Sequence, residues 1–445
     1  NGVSISNGSI NLQNKKNIEI DGKFDTQFNV TEDNLKKLLP KKNFKFLENK
    51  KININGNLLH EFNAKFSKNY KLIDYDYKSS GEILKSKIDL KNSFKNNLIN
   101  KKINQISFDK TKLNINLSKN EKNLISLNGL YSLEESLFKK FKINHDLNKK
   151  KNYLIDVDLA ENIFVELINF KTNIKNISKV KSNFTIRNNK IIFDYINFTE
   201  KKNSIIINNL IINSKNEIEK ISKIDVLTFK NKKENNNFNI NFKKKIRIEG
   251  EVYDSTYLLT QLSGDNKQNF LKNISNDVEI KLKKLITKSQ TPLNNFILIG
   301  KIEKGKFIKA SSKSEFTKNK YLDISLKKDP NNKKILEVYS DLPEVLLSSY
   351  KFFSGVREGK LLYRSEIAEK GSVSKLTIEK FKVIEAPTFA TLLTLADLGG
   401  YADLLSGQGM SFDILEINFS DDVNVTSIEE ILALGSSVSL HMDGY

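Results

Sequence analysis

The residues that could carry acid–base or metal chemistry are few and lie far apart in this sequence. The chain has no Cys and three His, which are His60, His145 and His441. None of them stands in a His-x-x-x-His or His-Glu-x-x-His frame, the spacing that places two imidazoles beside one metal ion. The lack of Cys excludes disulfides, thiolate-bound zinc, iron–sulfur clusters and cysteine nucleophiles. We therefore expect no metal and no cofactor.

Two pairs of carboxylates, Asp74/Asp76 and Asp156/Asp158, have the i, i+2 spacing that places both members on one face of a strand. Such pairs serve glycosidases and cation sites. Here they alternate with apolar residues, and we interpret them as part of a solvated outer sheet face. The sequence also lacks a Gly-Lys-Ser/Thr phosphate loop and a Gly-x-Ser-x-Gly nucleophile turn. We predict that the protein is not an enzyme.

The elements that would position functional residues are predicted to be β-strands. Apolar and polar residues alternate with a period of two along most of the chain, so that one face of each strand is apolar and the other faces water. The alternating apolar sets include Leu113, Ile115 and Leu117, and also Phe238, Ile240 and Phe242. We expect a mostly β protein, an elongated antiparallel sheet with a few short helices.

Glycines recur just before apolar residues, for example at Gly56, Gly129, Gly250, Gly300 and Gly359. The spacing is too irregular for a repeat with a fixed period. We expect these glycines to mark strand starts, bends or bulges in a meander of hairpins.

The clearest helix signal covers residues 387–398. Pro387 is suited to a first helical turn, Phe389, Leu392 and Leu393 recur at helical spacing, and Gly399-Gly400 would end the helix. Two interpretations stay open. The helix packs on the sheet as ordinary core, or it lines or plugs an apolar groove along the sheet. A second helix is expected over 341–353.

The chain is strongly basic, with 73 Lys and Arg against 53 Asp and Glu and a net charge of +20. Only Arg187, Arg247, Arg357 and Arg364 are arginines. Because base readout in nucleic acids relies on the guanidinium fork, we expect no nucleic-acid partner. The surplus of Lys and Asn is typical of a genome with AT-rich codons. A Lys-rich surface that binds anionic headgroups or nucleic acid is the alternative.

The composition changes near residue 340. Residues 1–349 carry 65 basic and 39 acidic groups, whereas residues 350–445 carry 8 and 14. We predict a repetitive β region over 1–340 that forms an extended groove, and a more closely packed region over 341–445 that contains the amphipathic helix 387–398. No run of 18 apolar residues occurs, so we expect no membrane-spanning helix in this chain. Both ends look cut, and we expect a fragment.

From Ile335 to Tyr445 the sequence resembles the AsmA-like family of bacterial envelope proteins, in particular its YhdP-type branch. The resemblance depends on a Gly-rich turn that leads into a strand (354–361), a strand that ends in Ala-Pro (376–387), the Leu-Leu-x-Leu-Ala helix segment (392–396) and the Leu-Ser-Gly-Gln-Gly segment (405–409). It covers about a quarter of the chain.

This resemblance implies a sheet curled into a trough with an apolar inner face. It further implies a periplasmic protein that is held in the inner membrane by an anchor absent from this chain, meets an outer-membrane partner and moves phospholipid between the two membranes. The acyl chains would lie in the groove. Candidate groove residues are Leu113, Ile115, Leu117, Phe238, Ile240, Phe242, Phe389, Leu392 and Leu393. The main alternative is an envelope scaffold whose trough is filled by its own side chains.

Overall fold

The computed structural model describes residues 2–38, 50–96, 99–134, 136–148, 152–257, 274–288, 291–330, 333–347, 353, 355–368, 371–384, 409–422, 425–436 and 439–444. Strands hold 76% of these residues, and two short α-helices accompany them. The expectation of a mostly β protein with long sheets and few short helices is confirmed.

The chain divides into two compact units. The first comprises Asn1–Val165 and Phe170–Ile224, and the second comprises Glu166–Asn169 and Asp225–Tyr445. The change in composition near residue 340 therefore falls inside the second unit.

The first unit is a meander of antiparallel strands. Its elements are β1 (Val3–Asn14), β2 (Ile18–Thr31), α1 (Glu32–Leu38), β3 (Lys50–Phe66), β4 (Leu72–Asn96), β5 (Ile99–Ser118), β6 (Leu124–Leu133), β7 (Lys139–Asp146), β8 (Asn152–Asp158), β9 (Phe164–Val165), β10 (Phe170–Lys171), β11 (Ser178–Arg187), β12 (Lys190–Glu200), β13 (Asn203–Ile212) and β14 (Ile218–Lys220). Strands β1 to β8 pair in chain order, and β8 pairs with β11, which continues through β12 and β13 to β14. The short β9 and β10 form a separate two-stranded ribbon.

Strand β15 (Lys223–Lys230) crosses the boundary in the chain, and the second unit follows it. Its further elements are β16 (Lys233–Phe242), β17 (Lys245–Asp254), β18 (Asn276–Ile286), β19 (Leu293–Glu303), β20 (Lys306–Thr317), β21 (Lys320–Lys328), β22 (Lys334–Ser340), α2 (Pro343–Leu347), β23 (Val356–Arg357), β24 (Lys360–Ile367), β25 (Gly371–Val383), β26 (Met410–Asp422), β27 (Val425–Gly435) and β28 (Ser439–Asp443). Neighbouring strands in this unit are antiparallel with one exception among the pairings described.

The exception is β17 and β18, which pair in parallel, with Ile248 opposite Ile280. The sheet is therefore mixed at this one pairing, whereas the other pairings described are antiparallel, as the sequence predicts. Parallel neighbours need a return connection of a dozen or more residues. The chain between Asp254 and Asn276 is long enough to supply it.

Glycines stand inside strands more often than the sequence pattern suggested. Gly56, Gly129, Gly250 and Gly300 all lie within strands, whereas Gly359 precedes β24. The expectation that they mark strand starts is wrong for these four, and the expectation of bulges holds at three of them. Register shifts occur beside Gly56, opposite Gly129 and opposite Gly250. A residue without a side chain tolerates the close backbone approach that a bulge creates.

The expected helix over 341–353 is shorter in the described residues, where α2 begins at Pro343 and ends at Leu347. The expected helix over 387–398, with Phe389, Leu392 and Leu393, lies outside the residues that the structure describes.

We predict that Gly81→Ala lowers the free energy of unfolding by about 1–3 kcal/mol, because overpacking displaces backbone. A Cβ on Gly81 would overlap the carbonyl oxygen of Asn57 on β3 and would lie 2.8 Å from the Cα of Leu58. Urea denaturation of both variants measures the effect against Ser80→Ala, the neighbouring exposed position on the other face of β4. Equal free energies of unfolding for the two variants would contradict the prediction.

Candidate functional site

The strand register of the first unit aligns apolar side chains from strand to strand. Leu113 on β5 pairs with Gly81 on β4 and with Leu127 on β6. Because directly paired residues lie on the same face of a sheet, these positions form a row that crosses the strands. The complete row is Ile5, Thr26, Leu58, Gly81, Leu113, Leu127, Ile143, Ile155, Ser182, Ile196 and Ile207. We call the face that carries this row and its i±2 neighbours the apolar face of the first unit.

A second row on the same face passes through Ile115 and is rich in aromatic rings. It consists of Phe24, His60, Ser79, Ile115, Ile125, His145, Tyr153, Phe184, Phe193 and Leu210. The rings of His145 and Tyr153 stack with centroids 3.9 Å apart. Phe184 continues the stack at 5.1 Å from Tyr153 and 5.2 Å from Phe193. Aromatic contact therefore runs across four neighbouring strands.

The apolar face is only partly covered. Leu113, Ile115 and Leu117 are half-buried. In the described part of the first unit, every helix and strand except α1 and the β9–β10 ribbon belongs to the sheet itself. Helix α1 lies against β2 and β3, and the ribbon covers Phe198 through a ring contact with Phe170 at 5.7 Å. Both lie toward the same end of the strands, so the described residues of the first unit place no second layer of secondary structure over the middle of the face.

The opposite face of the same strands is polar and charge-paired. Lys23 and Glu61 meet at 2.8 Å across β2 and β3. Lys179 lies 3.6 Å from Asp156 and 3.7 Å from Asp158. The carboxylate pair Asp156/Asp158 therefore lies on the charged face, in agreement with its interpretation as part of an outer sheet face. The other carboxylate pair lies on β4, where Asp76 pairs with Lys78 at 3.4 Å and Asp74 accepts hydrogen bonds from Asn120.

An open recess of about 300 Å³ lies among these paired charges on β2, β3 and β4. Its lining includes Asp21, Lys23, Glu61, Asp76 and Lys78. Because its carboxylates and ammonium groups largely neutralise one another, the recess has no strong preference for an anion or a cation.

His60 is a buried titratable group of the apolar face, with 8% of its surface exposed. Its Nε2 lies 2.8 Å from the hydroxyl of Thr26 and its Nδ1 lies 2.8 Å from the hydroxyl of Tyr77. Phe24 stacks on the imidazole at 4.6 Å. Burial lowers the pKa of His60 because it penalises the charged imidazolium, and the nearby Asp25 opposes this only in part.

In the second unit, the register gives a comparable row through Ile240. It contains Ile240, Ile248, Ile280, Leu298, Ser312, Ile324, Val338, Tyr363, Leu376, Ile417, Ile431 and Met442. Phe238 and Phe242 lie on the same face of β16 as Ile240. Ile240 and Phe242 are half-buried, and Phe238 is buried with its ring 4.7 Å from that of Tyr253.

Toward the C-terminus the row is buried at Leu376, Ile417 and Ile431, whereas its last residue, Met442 on β28, is 38% exposed. The buried apolar cluster that the structure describes lies in residues 347–433, where Ile378, Leu415 and Ala433 have no exposed surface. The rings of Phe381 and Phe412 stack within it at 5.2 Å. The second unit thus has a half-buried apolar face on β16 to β22 and a dry core on β24 to β27.

One group of possible metal ligands stands on the polar side of β27 and β28. Ligand atoms of Glu430, His441 and Asp443 lie within 4.8 Å of one another. The group is largely exposed, and hydrogen bonds from Asn418 and His441 lower the pKa of Glu430. Because the neighbouring polar groups already account for this pairing, we interpret the group as part of the charged sheet face.

Sequence reasoning identified the alternation in β5 and β16 but missed the aromatic row. Its members come from strands up to about thirty residues apart, and only the register brings them together. The signal that could have found them is an aromatic residue at the apolar position of each successive strand, as at Tyr153, Phe184 and Phe193.

Comparisons with known protein families, with curated proteins and with solved structures found no match. Among the described residues, no helix combines the length and the apolar character that crossing a membrane requires.

We predict that acid destabilises the first unit through His60. Since the pKa of His60 is lower in the folded protein than in the unfolded chain, the unfolded chain binds the proton first as the pH falls. The contribution of neutral His60 is fully present above the ordinary histidine pKa of about 6.5 and is lost as the pH falls from there toward the folded pKa.

Urea denaturation between pH 8 and pH 5 measures this dependence, with His60→Gln as the variant that does not titrate at this position. We expect a flatter pH dependence of the unfolding free energy in His60→Gln than in the native protein. Identical pH profiles would show that His60 does not contribute.

Proposed function

We propose that the protein is a non-enzymatic carrier of phospholipid whose acyl chains lie along the apolar face. The observation that carries this proposal is the apolar face of the first unit, continuous from β1 to β13 and half-buried at Leu113, Ile115 and Leu117, with no second layer from the described residues of that unit over its middle. Such a surface is costly to leave in water. Acyl chains are apolar, like this surface, and long enough to extend along it, so they are suited to cover it.

The energetics of this arrangement require no polar recognition motif. Each buried methylene contributes roughly 0.8 kcal/mol, so chains of ordinary lipid length are held by contact area alone. This agrees with a sequence that has no Cys and widely spaced His. It also explains why the working residues are Leu, Ile and Phe at ordinary strand positions.

The resemblance of residues 335–445 to AsmA-like envelope proteins supports the same function. It adds a periplasmic location, an inner-membrane anchor outside this chain and an outer-membrane partner. The comparisons returned no family, so these additions stay predictions.

A structural scaffold filled by its own side chains is the second candidate. The dry cluster on β24 to β27, with Phe381 and Leu415 at its centre, favours this function for the C-terminal part of the second unit. The half-buried faces of β5 and β16 favour the carrier, and bound lipid in the purified protein separates the two candidates.

We predict that Ile115→Asp abolishes lipid retention, since it places an unpaired charge among the apolar rows. Native mass spectrometry of protein purified without detergent measures the bound lipid. Asn114→Asp is the matched control, because Asn114 is the exposed neighbour on the opposite face of β5. We expect the control to carry the same amount of lipid as the native protein.

Ile240→Asp tests the corresponding row of the second unit. Asn239 is unsuitable as its control, because its amide donates to the carbonyl oxygen of Glu249 at 3.2 Å. If the native protein carries no lipid and both inward variants unfold, the face is a dry core and the carrier function is wrong.

A further inference from the structure

The antiparallel meander places alternate turns of the first unit on the same side of the sheet. Strands β1, β3, β5 and β13 all end on one side. The four described turns that follow these strands lie at residues 15–17, 67–71, 119–123 and 213–217. Strands β7 and β11 end on the same side, and the described residues that follow them, 147–148 and 188–189, are uncharged. We call these four turns the basic rim.

Among the described connections, the basic rim has a net charge of +5 against +1 on the other side. Its turns contain seven Lys and two Glu, namely Lys15, Lys16, Lys68, Lys71, Lys119, Lys122 and Lys215 with Glu121 and Glu217. The described connections on the other side, at 32–38, 134, 136–138, 159–163, 172–177 and 201–202, contain five Lys and four acidic residues. Codon bias acts on both sides alike, so it does not explain this difference.

Most of these ammonium groups face solvent without a neutralising partner. Lys122 pairs with Asp146 at 3.1 Å, and Lys119 donates to the carbonyl oxygen of Ile73. The other five lysines of the rim are exposed, and none has a carboxylate within ion-pair distance among the described residues. They are Lys15, Lys16, Lys68, Lys71 and Lys215.

The turn between β3 and β4 adds exposed apolar surface at the same place. Tyr70 is 79% exposed, and Leu72 and Ile73 beside it are 46% and 36% exposed. The turn is closed by hydrogen bonds from the Ser67 amide to the Lys71 carbonyl and from the Tyr70 amide to the Ser67 carbonyl, both 2.9 Å long. Tyrosine rings are enriched at the headgroup level of a bilayer, because they are amphipathic. The Tyr70 ring, which lies between Lys68 and Lys71 in this hydrogen-bonded turn, is suited to that level.

We propose that the basic rim docks on the headgroup surface of a bilayer that contains anionic phospholipid. Lysine ammonium groups near such a surface are attracted to it, and each raises partitioning roughly fivefold. Tyr70 and Leu72 enter the interface once the lysines have brought the rim close. Nucleic acid fits the rim less well, because the turns of the rim contain no Arg and the exposed apolar side chains of the rim would stay in water.

The absence of Trp from the chain allows a direct test. Tyr70→Trp creates a single tryptophan at the rim, and Phe138→Trp creates one on the other side of the sheet, where Phe138 is 47% exposed. We expect the emission of the Tyr70→Trp protein to shift to the blue with vesicles of phosphatidylcholine and phosphatidylglycerol. We expect no shift with pure phosphatidylcholine vesicles and none for Phe138→Trp. High salt should reverse the shift, since the attraction is electrostatic.

The charge requirement is tested in the Tyr70→Trp background. Adding Lys68→Gln and Lys71→Gln should weaken partitioning to the anionic vesicles roughly 30-fold, whereas adding Lys201→Gln and Lys202→Gln, the matched pair on the other side, should leave it unchanged. Equal losses from the two pairs, a shift only for Phe138→Trp, or a shift with duplex DNA and none with vesicles would overturn the proposal. The readout is binding to added vesicles, so it is independent of the lipid retained by the purified protein.

Discussion

Everything in this protein depends on the in-register pairing of strands whose side chains alternate with a period of two. In the first unit, the row of paired residues that passes through Leu113 runs from Ile5 to Ile207 on one face of the sheet. A slip of one residue in any pair would turn that strand's apolar set toward the ion pairs of the other face. The apolar composition of 38% suffices for one apolar face and little more. The fold therefore fixes a continuous apolar surface and leaves open what covers it.

Bulges keep that surface continuous over strands of unequal length. Between β11 and β12 the register shifts at Asn183/Phe184, yet Phe184 still lies opposite Phe193 and their rings stay in contact. Near Gly56 a shift absorbs an extra residue on β4, and the rows through Leu58 and His60 remain aligned with β4 and β5. Glycine at such positions is a packing requirement, because backbone from the neighbouring strand occupies the place of a side chain. The rows are therefore maintained by local irregularity as much as by regular pairing.

The sequence was sufficient to predict the strands and their facing directions, because both depend on residues close together in the chain. Pairing partners depend on distant residues. The parallel match of Ile248 with Ile280 and the contact of Tyr153 with Phe184 therefore had no local sequence signature. The basic rim was hidden for a different reason. Lys occurs throughout residues 1–349, and only the strand order shows which lysines gather on one side of the sheet.

The apolar face of the first unit and the cluster around Leu415 in the second unit differ in how they are covered, and this difference constrains function more than any single residue does. Around Leu415 the surface is a dry core, so a polar substitution there acts on folding. Around Ile115 the same kind of row is half-buried and contains polar members, His60 and the buried Ser79, whose hydroxyl has no hydrogen-bond partner in the described structure. A surface selected only for packing would exclude such groups, since each costs free energy when it is buried.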